Sequence, residues 1–282
     1  MKRWICEHQL VSFFIIAFAL SWVVWIPTII FLVTDGDWHP VMFVGAFGPW
    51  FSAVLVVWAT RGGSGVGAWF KRRFGKRISP LWYLMAWFVM PIGVGAFQYL
   101  LYRLAGGHPA HSGAEDWIKY AISVPIAALI AGGNEEPGWR GFALPKMLER
   151  MSPVAASLVL GVFWVAWHIP LFWLPGWGGS DKNLMLFLLS VGGLSIIMTW
   201  LFYRSSMNVI PAMLFHQATN QVQELFPTPG DLIPGVDDWQ ILRGIVYWAI
   251  AIVLIVATRG RLGYSASNET PAGGTTHEAD AR

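Results

Sequence analysis

The sequence predicts an all-α, polytopic membrane protein of about eight transmembrane helices, with both termini cytoplasmic. Three observations predict it. Of 282 residues 55% are apolar and only 12% charged, and the mean hydropathy is +0.52, a balance that does not suit a soluble domain of this size. Eight apolar stretches are long enough, or nearly so, to cross a hydrocarbon core of about 30 Å at ~1.5 Å per residue. Lysine and arginine are shared unevenly between the segments that join those stretches.

The stretches cover residues 10–33, 40–60, 80–104, 117–133, 153–174, 184–202, 207–226 and 240–258. The first follows Lys2 and Arg3 and resembles a signal peptide in its charge, but it runs 24 residues without a small-residue cleavage site and reads as a retained anchor. The fourth is short. Its apolar run stops at Ala131, before Gly132, Gly133, Asn134, Glu135 and Glu136, so the helix either ends there or continues as a polar half. With the amino terminus inside, 15 of the 19 basic residues fall on the cytoplasmic side, and only Arg103, Lys119, Lys182 and Arg243 fall outside. The net charge of +3 then reflects topology, and no nucleic-acid partner is expected. Arg61 to Ser79 reads as a basic loop lying on anionic headgroups.

Residues 1–262 are expected to form one transmembrane domain in a bacterial or archaeal cell membrane, and 263–282 a disordered cytoplasmic tail rich in Ser, Thr, Gly and Ala. Among the 18 tryptophans, Trp4, Trp38, Trp82, Trp117, Trp177 and Trp239 sit near stretch ends, as an interfacial aromatic belt requires, and deeper ones are expected between helices. Cys6 is the single cysteine, which excludes an intramolecular disulfide and a multi-cysteine metal site.

Three polar clusters interrupt segments otherwise apolar enough for a bilayer: Glu135, Glu136 and Arg140; His168; and His216 with Asn220. Ionisable groups at that depth are costly and tend to serve function. The usual intramembrane hydrolases leave other marks. Gly62-Gly63-Ser64-Gly65 has the letters of a serine motif but lies in the basic loop; the His-Glu pair His277-Glu278 lies in the tail without the zinc-motif spacing; the aspartates fall in expected loops or the tail. Glu136 and Arg140 are four apart with Glu first, the favourable order for a helical ion pair, which leaves Glu135 for proton transfer. His216 and Asn220 share a helix face, and Trp164 stands one turn before His168, where it would limit rotation of the ring. If Met151-Ser152-Pro153 is the tip of a helical hairpin, Glu135 and His168 lie at equal heights on its two arms. His216, nine residues in from Met207 and so ~13 Å deep, would join them in the cytoplasmic half if the tip projects into the cytosol. Each cluster has a plainer reading: Asn134 as a helix cap followed by acids that favour a helix amino terminus, His168 as an interfacial residue before a kink at Pro170, His216 as a neutral interhelical bond.

The motifs resemble those of the CPBP family, the type II CAAX prenyl protease and bacteriocin-processing (Abi) group of intramembrane proteases. Glu135-Glu136-Pro137-Gly138-Trp139-Arg140 resembles its Glu-Glu-x-x-x-Arg motif, Trp164 to His168 its aromatic four residues before histidine, and His216 to Asn220 its His-x-x-x-Asn/Asp, all in family order within about residues 117–226. Tryptophan at 164 departs from the phenylalanine common there, with Phe163 adjacent. The resemblance implies an eight-helix endopeptidase in which Glu135 with His168 activates water, His216 and Asn220 stabilise the oxyanion, and Arg140 orients the Glu pair. It implies a peptide or membrane-protein substrate, prenylated in the CAAX-type version. A metal-free site is preferred; the alternative is zinc on Glu135, His168 and His216 with an open position for water. The rival outside enzymology is a membrane binding or bacteriocin-immunity protein.

Overall fold

The computed structural model describes residues 2–31, 40–174, 183–228, 232 and 238–265. Trp38, Trp177, Lys182 and the tail from residue 266 onward lie outside the described residues. Among those described, every regular element is helical. After a short helix Lys2–Glu7 come α1 (Gln9–Phe31), α2 (Gly48–Phe74), α3 (Pro80–Leu104) and α4 (Ala114–Ile130). A broken helical segment over 133–148 leads to α5 (Pro153–Trp167), followed by α6 (Leu184–Arg204), α7 (Ile210–Gln221) and α8 (Asp238–Ala257). Among the described residues five helices are long and apolar enough to cross a bilayer: α1, α2 with its lead-in from Met42, α3, α6 and α8. The protein is an integral membrane protein.

Helices α4, α5 and α7 are shorter, and each ends for a local reason. The first turn of α4 is fixed by Asp116, whose carboxylate accepts from the Gly113 amide at 2.8 Å. Its last turn gives way to extended Ala131 and then Gly132. Helix α5 starts where Ser152 accepts from the Ala155 amide and stops at Trp167, because Pro170 has no N–H with which to continue the ladder. Helix α7 begins at Ile210, not at Met207: Ser206 and Met207 are left-handed, and Asn208 accepts from the Ile210 amide at 3.0 Å.

The segment 61–74 is helix, not the loop expected from its charge. Gly62, at φ 69° and ψ −171°, breaks α2, and the helix after it is anchored by two side chains on one carbonyl. Arg73 Nε donates to Gly141 O at 2.7 Å and Trp69 Nε1 to the same oxygen at 3.1 Å. That carbonyl lies in a widened π turn, Trp139–Ala143.

Helices α1 and α2, and α5 and α6, pack antiparallel, as Ser52 on Phe13 O, Ser21 on Gly45 O and Ser157 on Thr199 show, whereas α8 lies parallel to α6. At one end of the bundle Val209 N donates to Arg73 O, Asn208 Nδ2 to Lys76 O, and Tyr264 packs edge-on against Tyr203. Gly263 to Ser265 thus begin against the bundle, not as free tail, and Leu262 is fully buried. The other end gathers Trp25 on Met42 O, Trp22 on Trp167 O, Ser190 on Gln240 O and Trp117 against Phe226. Trp139 and Trp167 are fully buried between helices, whereas Trp4 and Trp117 are exposed near helix ends, as expected of the two tryptophan classes.

Candidate active site

Three short helices end in the middle of the bundle, and their ends carry the polar groups. Past α4, Gly132 has φ 69° and ψ −69°, and the Gly133 amide donates back to Ala131 O at 2.8 Å. This is a γ-turn of the strained hand, which glycine tolerates best. The turn reverses the chain and delivers Glu135 and Glu136. Asn134 is no cap: its side chain is fully buried and its amide atoms have no hydrogen-bond partner.

Glu136 and Arg140 form the expected ion pair, Nη1 to both carboxylate oxygens at 3.0 and 3.1 Å, with neither side chain exposed. A buried pair needs its remaining valences met. Here His216 Nδ1 donates to Glu136 Oε1 at 2.9 Å, Arg140 Nη2 donates to Ser195 Oγ at 3.2 Å and the guanidinium lies 4.6 Å over the Trp164 ring, while Arg140 Nε is left without a partner among the described residues. Because a carboxylate only accepts, the proton between His216 and Glu136 sits on Nδ1.

Glu135 is left for the cavity. Its Oε2 accepts from Trp164 Nε1 at 2.6 Å and Trp139 Nε1 at 3.2 Å. His168 closes α5, with Nδ1 donating to Trp164 O at 2.8 Å, which makes Nε2 the basic nitrogen of the neutral ring. Trp164 therefore touches all three groups. Its indole bonds Glu135, its carbonyl orients His168, and its ring packs edge-on against His216 at 4.9 Å. The sequence suggested only that it restrains His168.

Glu135, His168, His216 and Asn220 line one cavity of about 720 Å³. Three residues there were not singled out from sequence. Gly132 approaches so closely that a Cβ on it would lie 2.9 Å from Asn220 Nδ2 and Gln217 Oε1 and 3.4 Å from His216 Nε2. Gln217 is buried, and its carbonyl oxygen accepts no hydrogen bond. Arg243 also lines the cavity, bonded to Gln223 Oε1 at 3.2 Å. The Gly132-Gly133 pair was the available signal for the first.

His168 lies 15 residues beyond Pro153, a rise of ~22 Å from the hairpin tip, and the cavity lies toward the other end of the bundle. Its other wall residues, Met42, Phe187, Gln223 and Trp239, belong to the opposite end of the bundle.

Among the described residues no three His, Cys, Asp or Glu side chains are grouped so as to hold one ion. Glu135, His168 and His216 line the same cavity but do not form such a group.

Fold and site together define a helical membrane protein with a carboxylate, two imidazoles and an amide around an internal cavity. Comparison with known proteins narrows the class. Residues 117–222 match the family model of the type II CAAX prenyl endopeptidases, Rce1-like. Over 261 residues the chain is 24% identical to CAAX prenyl protease 2 of the archaeon Methanococcus maripaludis, covering 86% of this chain and 92% of that one. In both comparisons the chain is similar to type II CAAX prenyl proteases.

Proposed function

We propose that the protein hydrolyses a peptide bond within the membrane by a water that Glu135 and His168 activate. The observation that carries this is the shared position of Glu135 and His168 on one cavity wall, both fixed by Trp164. Glu135 takes a proton from water while His168 Nε2 accepts its second hydrogen bond, and the oxygen attacks the scissile carbonyl carbon. The carbonyl oxygen becomes an oxyanion held by Asn220 Nδ2 and by Nε2–H of His216, whose second proton is balanced by Glu136 on Nδ1. Glu135 then passes its proton to the leaving amine, so the proton count closes within the site. Arg140 holds Glu136 in place and takes no proton. Eight membrane crossings, a metal-free site and a peptide or membrane-protein substrate complete the reading, and the name of the archaeal relative makes prenylated carboxyl-terminal peptides one class to test.

The experiment is a cleavage assay on purified, reconstituted protein with its metal content measured alongside. Turnover in metal-free protein, lost in His168→Ala with the fold intact, is the expected result. Turnover that requires a stoichiometric metal would overturn the metal-free mechanism, and unchanged turnover in His168→Ala would overturn the role of the site.

A further inference from the structure

Among the described residues that line the cavity, Arg243 is the one permanent cation, and the hydrolytic groups do not use it. It is half-buried on α8, and its Nη2 donates to the neutral Gln223 Oε1 at 3.2 Å. The guanidinium carbon stands 5.8 Å over the ring of Trp239, another wall residue, whose Nε1 is buried without a hydrogen-bond partner among the described residues. No described carboxylate pairs with Arg243. Glu224, next to Gln223, goes instead to Lys119 at 3.2 Å, and Asp238 accepts from the Leu232 amide. A guanidinium has five N–H donors in a planar fork that suits a carboxylate, and the amide of Gln223 takes one donor without neutralising the charge.

The position of Arg243 relative to the reacting groups sets what kind of carboxylate it can take. Gln223 stands three residues beyond Asn220, about 5–6 Å on a helical surface, and the guanidinium is one 3.2 Å bond further. An extended chain advances ~3.3–3.6 Å per residue. A peptide carbonyl held at Asn220 therefore brings a carboxylate to Arg243 roughly two to three residues later in the chain. We propose that Arg243 is a specificity-determining residue that binds the free α-carboxylate of a substrate cut two or three residues from its carboxyl terminus. The inference rests on the protease reading for the place of the cut, and adds to it the group by which the substrate is recognised.

The test compares a fluorescent peptide ending in an S-prenylated cysteine and three apolar residues, made as the free acid and as the carboxamide. Affinity for each is measured on full-length Glu135→Gln protein in phosphatidylcholine proteoliposomes, whose headgroups carry no net negative charge. The free acid should bind ~10- to 100-fold more tightly, as a hydrogen-bonded charge pair implies. Adding Arg243→Gln should bring the two affinities within ~3-fold by weakening the acid alone, and Arg243→Lys should restore part of the difference. Gln223→Glu, at an exposed position, should do the same as Arg243→Gln by giving the guanidinium a carboxylate of its own, and it serves if Arg243→Gln does not fold. Equal affinity for acid and amide, binding of neither, or a preference that survives these substitutions overturns the proposal. Binding does not need turnover. If the preference depends on Arg243 while Glu135→Gln keeps near-parent turnover, the carboxylate site stands and the assignment of the base fails; if Glu135→Gln is inactive and no preference exists, the mechanism stands without this site.

Discussion

Gly132→Ala is predicted to cripple the site from a position that carries no functional group. Its backbone occupies a γ-turn of the strained hand, which costs a non-glycine residue about 1–3 kcal/mol. The new methyl would also stand 2.9 Å from Asn220 Nδ2 and Gln217 Oε1, so both amide ends must shift. Side-chain ends move more easily than backbone, and the fold should survive. Loss of one well-placed oxyanion donor costs about 3–4 kcal/mol of transition-state stabilisation, or ~10² to 10³ in rate. Gly133→Ala is the contrasting control, because its methyl would meet two backbone oxygens, Ala128 O at 2.5 Å and Met213 O at 2.6 Å. That variant should lose stability first. The assay is turnover at saturating substrate in proteoliposomes, read beside thermal unfolding in the same detergent. Near-normal turnover in folded Gly132→Ala would refute the placement of Asn220 and His216 at the reacting oxygen.

Further predictions follow the bonds around the cavity. Asn220→Ala should lower turnover ~10² to 10³-fold with little change in unfolding temperature, since Asn220 is exposed to the cavity. Glu136→Gln or Arg140→Ala should weaken both activity and fold, about 3–5 kcal/mol for a broken buried pair, visible as earlier unfolding. Trp164→Phe keeps the ring under Arg140 but removes the 2.6 Å bond to Glu135; a hydrogen bond to a charged group is worth about 1.5–3 kcal/mol, so turnover should fall ~10- to 100-fold.

Much of the bundle was legible because membrane helices announce themselves by long apolar runs, and the hairpin about Met151 to Pro153 brought Glu135 and His168 level by counting alone. Residues 61–74 were not, because five lysines and arginines within 71–77 looked like a solvated loop; Trp69 and Arg73 reach the same Gly141 carbonyl, a partner far away in sequence. The start of α7 was not legible either: the left-handed Ser206 and Met207 delay it from Met207 to Ile210, six residues before His216. The ion pair of Glu136 and Arg140 could be read from a spacing of four. The indole of Trp164 on Glu135 could not, since 29 residues and a helix reversal separate them.

The central claim is that Glu135 is the base. Glu135→Gln keeps size and shape and can still accept from Trp164 and Trp139, so folding and substrate binding should persist. Removal of a positioned general base costs ~10² to 10⁴ in rate. Measured on reconstituted protein with a verified substrate, Glu135→Gln should bind substrate as the parent does while turnover falls by about that factor; turnover within a few-fold of the parent would contradict the account.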